Sequence, residues 1–463
     1  MTIIDQILAQ ADVRPAHAAV VEGGAGGVVE RTVDYAAVAG AIARGRARRS
    51  VLLGDRCGMV APQGADFILQ GLEVMAAGGC LFPISDRISG ATLDLLVQRV
   101  KLHHLVVNGE WSARPDPGDV DGADDRAFRA LEPAFIRFTS GTTHTNKGVI
   151  LGHLAVTQRI DAANRGLGIG PDDRVLWLLP MAHHWVVSIL LYLAHGATVL
   201  VPRGGTVAAR ALAERQGATV FYAAPQDFAA LADVSPGRMA LQPRLAVSTA
   251  SGLTPKLAER VGERLGFTLV QALGMIEVGL PAMNLAHAAD KPLSVGRPLP
   301  DYRIHLRGSD GDTITGLGPD HVGEILVEGP GLYAAYMDPW RPAPPGAFAT
   351  GDNGYFDQDG DLFVVGRRHN RILTGGMKFF CEEVEQAVEK HPSVAACRVL
   401  ARPDDILGEV PVVEVELGSG AAPFSSADLA RFLGGSLPPH MIPVEVRVVE
   451  TIARTPTGKI RRW

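Results

Sequence analysis

The sequence has few cysteines, no long apolar run and no excess of basic charge. Its four cysteines among 463 residues show no metal-ligand spacing, which predicts reduced thiols in the cytosol. The longest apolar stretch, "WVVSILLYLA", is shorter than the roughly 20 residues that a membrane span requires. The 44 Lys+Arg and 50 Asp+Glu residues give a net charge of −6, which argues against nucleic acid as the main partner. The N-terminus "MTIIDQILAQADVRP" lacks a basic n-region and a cleavage signal, so we expect a cytoplasmic protein.

Short apolar runs alternate with helical patterns through the first part of the chain. The runs "SVLLG", "RCGMVA" and "HHLVVNG" flank the helical patterns "ADFILQGLEVMAAGG" and "TLDLLVQRV", and the alternation recurs between "DRVLWLLP" and "FTLVQALG". This alternation favours parallel sheets covered by helices, so we predict an α/β fold with two doubly wound subdomains. From about Ser294 the strands become short and are punctuated by glycine and proline, which predicts a distorted β-barrel.

A smaller mixed unit follows "GRRHN". It has helical patterns at "CEEVEQAVEKH" and "SADLARFLGG" and strand patterns at "VAACRVLARP" and "VPVVEVEL". We therefore predict a large N-terminal domain of residues 1–368 and a small α+β C-terminal domain of residues 369–463.

The stretch "RFTSGTTHTNKGVILGH", residues 137–153, concentrates hydroxyl side chains, glycines and one lysine. Such a composition is usual for a flexible loop. The flanking patterns, a strand at "AFIRF" and a helix at "LAVTQRIDAANRGLG", instead predict a turn between strand and helix whose free N–H groups could bind an anion. Lys147 follows Asn146 and precedes Gly148, so the order of a Walker A loop is absent. The donors and the cation still suit a triphosphate.

Three further segments contain residues of possible chemical importance. "ATGDNGYFDQDGDLFVVGRRHN" contains Asp352 and Arg367, "QALGMIEVG" contains Glu277, and "ARTPTGKIRR" contains Lys459. Taken singly, Asp352 could be a turn aspartate and Arg367 a solvated arginine, and the last segment could be a basic tail. A glutamate in an apolar setting such as that of Glu277 needs a partner or a metal ion, because a buried bare charge is costly.

In this order, the four segments resemble the ANL superfamily of adenylating enzymes, and the carboxylate–CoA ligases among them most. The resemblance implies a large AMP- and acyl-binding domain with a small, mobile C-terminal lid. It implies an acid–thiol ligase that uses ATP and Mg²⁺ to convert a carboxylic acid into an acyl-adenylate, releases pyrophosphate, and transfers the acyl group to coenzyme A. Two alternatives stay open: an enzyme that loads the phosphopantetheine of a separate carrier protein, and a catalytically silent nucleotide-binding protein on the same fold.

The resemblance also assigns roles to individual residues. For ATP these are the phosphate loop Thr139, Ser140, Gly141, Thr142, Thr143 and Lys147, the adenine contacts Ala250, Ser251, Leu273 and Gly274, and the ribose contacts Asp352 and Arg367. Glu277 would bind Mg²⁺, and Lys459 would bridge the substrate carboxylate and the α-phosphate, so Lys459, Glu277, Thr142 and Lys147 are the expected catalytic residues. For the acid and the thiol they are His183, His184, Gly274 and Gly376, with His369 as the hinge of the lid.

The sequence departs from the family pattern at several of these segments, namely at His144, Asn146, Ile276, His369, Leu373 and Cys381. The predicted acyl pocket is apolar and lacks the aspartate that holds an amino-acid substrate in the family. We therefore expect a small apolar or aromatic carboxylic acid as substrate. The sequence does not fix the oligomeric state, and a homodimer stays open.

Overall fold

The computed structural model describes residues 1–88, 90–114, 125–138, 147–234, 237–367, 370–374, 377–404, 407–455 and 459–461. The helices are α1 (Ile3–Val13), α2 (Tyr35–Ala47), α3 (Ala65–Ala76), α4 (Gly90–Val100), α5 (Asp125–Arg129), α6 (His153–Leu167), α7 (Met181–His184), α8 (Ile189–Ala194), α9 (Gly205–Gln216), α10 (Pro225–Asp233), α11 (Pro255–Arg264), α12 (Cys381–Val388) and α13 (Ser426–Leu433).

The strands, from β1 to β14, are β1 (Ala18–Gly23), β2 (Val29–Asp34), β3 (Arg56–Val60), β4 (Cys80–Ile84), β5 (His104–Val107), β6 (Glu110–Ala113), β7 (Pro133–Phe138), β8 (Gly148–Gly152), β9 (Arg174–Trp177), β10 (Thr198–Pro202), β11 (Val220–Ala223), β12 (Leu245–Ser248), β13 (Val270–Met275) and β14 (Gly279–Met283). The later strands are β15 (Arg297–Pro298), β16 (Arg303–Arg307), β17 (Thr313–Ile314), β18 (Gly323–Glu328), β19 (Ala335–Met337), β20 (Trp340–Pro342), β21 (Phe348–Phe356), β22 (Leu362–Arg367), β23 (Arg371–Thr374), β24 (Met377–Phe380), β25 (Val394–Asp404), β26 (Gly408–Leu417) and β27 (Glu445–Val449).

Two large mixed sheets form the N-terminal part. The nine-stranded sheet has the order β15-β14-β13-β12-β11-β9-β10-β1-β2, and its strands from β13 to β1 run parallel. The eight-stranded sheet has the order β20-β19-β8-β7-β4-β3-β5-β6, with a parallel centre from β7 to β5. The central strands are buried on both faces, as expected for parallel strands covered by helices. These sheets confirm the predicted α/β class.

One continuous core joins the two sheets. Apolar residues of α1, α3, α6 and α8 pack between them, with Trp185 fully buried at the centre. A second cluster lies under α9, α10 and α11 on the outer face of the nine-stranded sheet. The helix boundaries follow local chemistry: Thr254 caps the first turn of α11 through a hydrogen bond from Leu257 N, and α6 ends at Gly168 with φ +56°.

Two smaller sheets complete the fold. The β-rich unit predicted after Ser294 contains the five-stranded antiparallel sheet β17-β16-β18-β21-β22. The C-terminal unit holds β23 to β27 with α12 and α13 around a small core of its own. Residues 368 and 369 lie outside the described part of the chain, so the domain boundary predicted there stays a prediction.

Two local predictions were wrong. The hydroxyl-rich residues 139–146 do not lead directly into a helix. The buried strand β8 follows them and pairs antiparallel with β7, and only then does α6 begin. The run "SVLLG" is not a strand. Asp55 accepts a hydrogen bond from Leu52 N at 2.8 Å, which closes a turn there and leaves Leu52 and Leu53 about two-thirds exposed.

Candidate active site

The candidate adenine-binding residues lie at the carboxyl ends of two neighbouring parallel strands. Ala250 and Ser251 follow β12, whereas Leu273 and Gly274 lie near the end of β13. Ala250 has φ +74°, unusual for a residue with a side chain and a sign of a constrained turn. A Cβ placed on Gly274 would lie 3.8 Å from Thr249 Oγ1, so the two segments are in close proximity. Ligands of open α/β sheets bind at this edge.

Glu277 lies in the turn between β13 and β14, and a buried arginine holds that turn in place. Arg159 of α6 donates hydrogen bonds to the carbonyls of Ile276 at 2.8 Å and Gly331 at 3.0 Å. The Glu277 carbonyl accepts a further bond from Tyr333 N at 2.8 Å, and its carboxylate Oε1 accepts one from Tyr336 Oη at 3.2 Å. The backbone is thus fixed on both sides, and the carboxylate keeps one oxygen that no described residue binds.

Asp352 and Arg367 are direct cross-strand partners on β21 and β22. Arg367 Nε lies 2.9 Å from Asp352 Oδ1. Asp352 is mostly buried, whereas the Arg367 side chain is 44% exposed. Thr350 Oγ1 accepts a hydrogen bond from Asp352 N at 3.0 Å and fixes the backbone there. A carboxylate held by one arginine on one edge can still accept ribose hydroxyl groups on its other oxygen.

Lys459 of the C-terminal unit stands close to these groups of the N-terminal part. Two hydrogen bonds join it to Thr455: Thr455 N donates to Lys459 O at 2.7 Å, and Lys459 N donates to Thr455 Oγ1 at 3.1 Å. Burial and the positive charge of Arg367 lower the pKa of Lys459 to about 8, while the carboxylates of Asp352 and Glu277 oppose that shift. The chain therefore brings residues that are far apart in sequence to one place.

His183 and His184 end the short helix α7. Burial and the charge of Arg137 lower the pKa of His183 to about 4, and burial lowers that of His184 well below its usual range. Both imidazoles are therefore neutral at pH 7. Arg137, near the end of β7, donates a hydrogen bond to the His183 carbonyl and thereby joins the eight-stranded sheet to α7.

An aromatic cluster lies beside His184. The Trp177 ring packs edge-on against His184 and Tyr192, each at 6.0 Å between centroids, and stacks on Tyr222 at 5.5 Å. The polar atoms Trp177 Nε1, Tyr192 Oη and His184 Nε2 are buried, and none of the described residues forms a hydrogen bond with them. A cleft of about 540 Å³ opens nearby, lined in part by Trp177, Leu179 and Met181. The charged residues Asp86, Arg87, Arg203 and Asp227 also line this cleft, so its walls combine aromatic, apolar and charged side chains.

The structure describes only part of the predicted phosphate loop. Thr139, Ser140, Gly141, Thr142 and Thr143 lie outside the described residues, as do His369 and Gly376. Lys147 is described, and its ammonium lies 4.9 Å from the centroid of the Tyr336 ring. Tyr336 therefore contacts both Lys147 and Glu277, which places the described end of the loop next to the predicted magnesium ligand.

The donor set fits a nucleotide with a hard divalent cation. Carboxylate oxygens are the protein ligands that Mg²⁺ prefers, and Glu277 offers one beside the Lys147 ammonium. Within the described ranges a different carboxylate group, Asp357, Asp359 and Asp361, also has metal-like spacing. The ammonium of Lys291 already contacts it, 2.6 Å from Asp357 Oδ2 and 2.9 Å from Asp361 Oδ2. The negative charge of that acidic turn is therefore partly neutralised by Lys291.

Three residues of the site went unnoticed in the sequence. Arg137 could have been noticed, because a charged residue inside the otherwise apolar run "AFIRF" is unusual. Arg159 and Tyr336 had no such signal. Their roles depend on contacts with Glu277, which lies 118 and 59 residues away along the chain.

None of the helices in the described ranges is long and apolar enough to cross a bilayer. Residues 9–337 match the family model of the AMP-binding enzymes, and residues 383–459 match the model of the AMP-binding enzyme C-terminal domain. The fold is similar to o-succinylbenzoate CoA synthetase of Bacillus subtilis in complex with its acyl-adenylate, with a TM-score of 0.83 and 23% identity over 99% of this chain and 96% of that one.

Curated relatives share more of the sequence. The chain is 31% identical to a sulfoacetate–CoA ligase of Cupriavidus necator over 341 residues, and 30% identical to an indoleacetate–CoA ligase of Aromatoleum aromaticum over 347 residues. Each match covers 71% of this chain and 66% of the relative, slightly under two thirds of its length. The two family models together with these identities establish that the chain belongs to the family of AMP-binding enzymes.

Proposed function

We propose that this protein is an AMP-forming acid–thiol ligase, which joins a small carboxylic acid to coenzyme A. The observation that carries the proposal is the position of Lys459, which the C-terminal unit holds among the charges of Asp352, Arg367 and Glu277. Each of these residues lies in a segment that resembles an adenylating enzyme. The names of both curated relatives, ligases that act with coenzyme A, support the same reaction.

In the first step, a carboxylate oxygen attacks the α-phosphorus of ATP, and the bond to the bridging oxygen of pyrophosphate breaks. Both reactants are anionic, so their approach requires positive charge. Lys459 would supply an ammonium between them, and Lys147 one at the β- and γ-phosphates. Magnesium held by Glu277 would neutralise part of the phosphate charge. Asp352 and Arg367 would hold the ribose.

In the second step, the thiol sulfur of coenzyme A attacks the acyl carbon, the thiol loses its proton to solvent, and AMP departs. In this mechanism no residue forms a covalent bond with the substrate, so positioning and electrostatics account for the rate, as in phosphoryl transfer generally. The neutral His183 and His184 would line the acyl pocket. The aromatic cluster beside them supports an acid with an apolar or aromatic skeleton.

The test is release of pyrophosphate with ATP, Mg²⁺ and a panel of acids, with and without coenzyme A. We expect release with one class of acid and formation of a thioester when coenzyme A is present. Release without thioester would redirect the second step to a carrier-protein phosphopantetheine. A folded protein that binds ATP but releases no pyrophosphate with any acid would contradict the proposal and favour a silent nucleotide-binding protein.

A further inference from the structure

Arg137 is a mostly buried cation in the site, and no described carboxylate lies within ion-pair distance of it. Its Nη1 donates to the His183 carbonyl, and its Nε is buried with no hydrogen-bond partner in the described part of the chain. It makes no ion pair with a carboxylate in the described ranges. Burial lowers the pKa of its guanidinium to about 10, so it stays charged at neutral pH. A buried, unpaired charge is costly, and a protein keeps one where a ligand supplies the opposite charge.

Arg137 lies near a second cation, Lys459, and near the two neutral imidazoles of α7. Its charge contributes to the lowered pKa of Lys459 and to those of His183 and His184, so all three lie close to it. Glu277 is the carboxylate that acts on Arg137 in the opposite sense. Glu277 already accepts a hydrogen bond from Tyr336, and magnesium would neutralise its charge further.

The proposed reaction does not require the positive charge of Arg137. Lys147, magnesium on Glu277, and Lys459 would serve ATP and one reacting carboxylate, and the resemblance that assigns them gives Arg137 no role. A guanidinium presents a planar fork of N–H donors that matches carboxylate and similar oxyanions. Because Arg137 lies near both Lys459 and the start of the acid pocket at His183, an anion bound to it would lie close to the reacting carboxylate.

We propose that the acid carries a second anionic group, a carboxylate or a sulfonate a few bonds from the first, and that Arg137 binds it. This deepens the proposed function and rests on it for the identity of the site. The expectation of a purely apolar acid is thereby replaced. The carbon skeleton faces the aromatic cluster, and the second anion determines specificity.

The experiment compares matched acids that differ by one anionic group: malonate with propionate, succinate with butyrate, phthalate with benzoate, and sulfoacetate with propionate. Pyrophosphate release gives kcat and KM for each acid and for ATP. Calorimetry with Mg²⁺ and α,β-methylene ATP, which releases no pyrophosphate, measures binding of the same acids without turnover. The variants are Arg137→Met, which removes the charge, Arg137→Lys, which keeps it, and Arg44→Met, the same change at an arginine of α2 whose side chain is 60% exposed.

We expect the wild-type protein to prefer the dianionic member of at least one pair, and Arg137→Met to reduce that preference on the order of 100-fold, mainly through the KM of the acid. Arg137→Lys should restore part of the preference. Arg44→Met should behave as wild type, and the KM for ATP should stay unchanged in every variant.

Three results would overturn the inference. One is an equal loss for both members of a pair, which would place Arg137 on the reacting carboxylate. Another is a raised KM for ATP, which would place it on a phosphate. The third is a wild-type preference for monoanionic acids. Failure of the proposed function looks different: the calorimetric preference for the dianion would persist and depend on Arg137, although no pyrophosphate is released.

Discussion

Lys459 is the residue of the site whose charge changes near neutral pH. Its pKa of about 8 means that the ammonium is mostly present at pH 7 and is lost as the pH rises through 8. Because the charged form is required between two anions, kcat/KM for adenylation should fall above about pH 8. His183 and His184 are neutral between pH 6 and 8, so their titration should not change kcat/KM in that interval.

The measurement is a profile of pyrophosphate release from pH 6 to 10 at low substrate concentration, which reports the free enzyme. Lys459→Arg is the matched control, because its guanidinium stays charged across the range. That variant should be slower but should lose the limb near pH 8. A limb that persists in Lys459→Arg would assign the titration to another group.

At this scale, sequence reasoning reached the residues that belong to short motifs. Glu277, Asp352, Arg367 and Lys459 were singled out from the chain, and the structure brings them together. Arg137 was passed over, because its importance comes from what faces it and not from its neighbours in sequence. The roles of all these residues stay predictions until activity is measured.

Among the elements, helix α6 stabilises two distant backbone segments through Arg159, a role that its sequence does not indicate. Its residue Arg159 is almost completely buried and binds the backbone of two separate segments, the Glu277 turn and the loop at Gly331. Arg159→Met would leave those carbonyls without donors at a cost of about 1–3 kcal/mol each, offset in part because a buried charge is removed.

We therefore expect Arg159→Met to lower the free energy of unfolding by roughly 2 kcal/mol in urea denaturation. As a positioning residue for Glu277, it should also raise the Mg²⁺ concentration needed for half-maximal pyrophosphate release. Arg165→Met, on the same helix but 55% exposed, is the control and should change neither quantity. A loss of stability with an unchanged Mg²⁺ requirement would reduce Arg159 to a purely structural role.

The sequence predicted helices and strands correctly where the apolar pattern extends over a long segment. It failed where contacts with distant parts of the chain determine the local structure. The parallel strands at the centre of both mixed sheets and helices such as α3 and α9 follow their patterns. The strand β8 was missed because the glycine and hydroxyl residues before it suggested a continuous loop into the helix. Its pairing with β7 and β19 comes from distant parts of the chain.

For the molecule as a whole, the site exists only where separate units meet. Arg137 comes from the eight-stranded sheet, Glu277 from the edge of the nine-stranded sheet, Asp352 and Arg367 from the antiparallel sheet, and Lys459 from the C-terminal unit. The order of the motifs predicted this assembly, because their resemblance to one family covers all the units. Neither composition nor periodicity could have predicted which groups face one another.

If the C-terminal unit serves the two steps in different positions, as the resemblance implies, Lys459 belongs to the first step alone. Lys459→Ala should slow pyrophosphate release by about 100-fold or more, the usual loss for a preorganised charge. Thioester formation from a supplied acyl-adenylate and coenzyme A should stay close to the wild-type rate. An equal loss in both half-reactions would show that Lys459 remains in place throughout.

The acidic turn of Asp357, Asp359 and Asp361 has a consequence for how the protein responds to chelators. Calcium-binding loops gather carboxylates around an ion taken from solution, and they lose their structure when that ion is withdrawn. Here the ammonium of Lys291 is covalently part of the chain and cannot be withdrawn. EDTA should therefore abolish pyrophosphate release while leaving the Tm unchanged, whereas Lys291→Met should lower the Tm and make it rise again with added Ca²⁺. Pyrophosphate release would then require a metal ion from solution, whereas the acidic turn would be stabilised by the ammonium of Lys291.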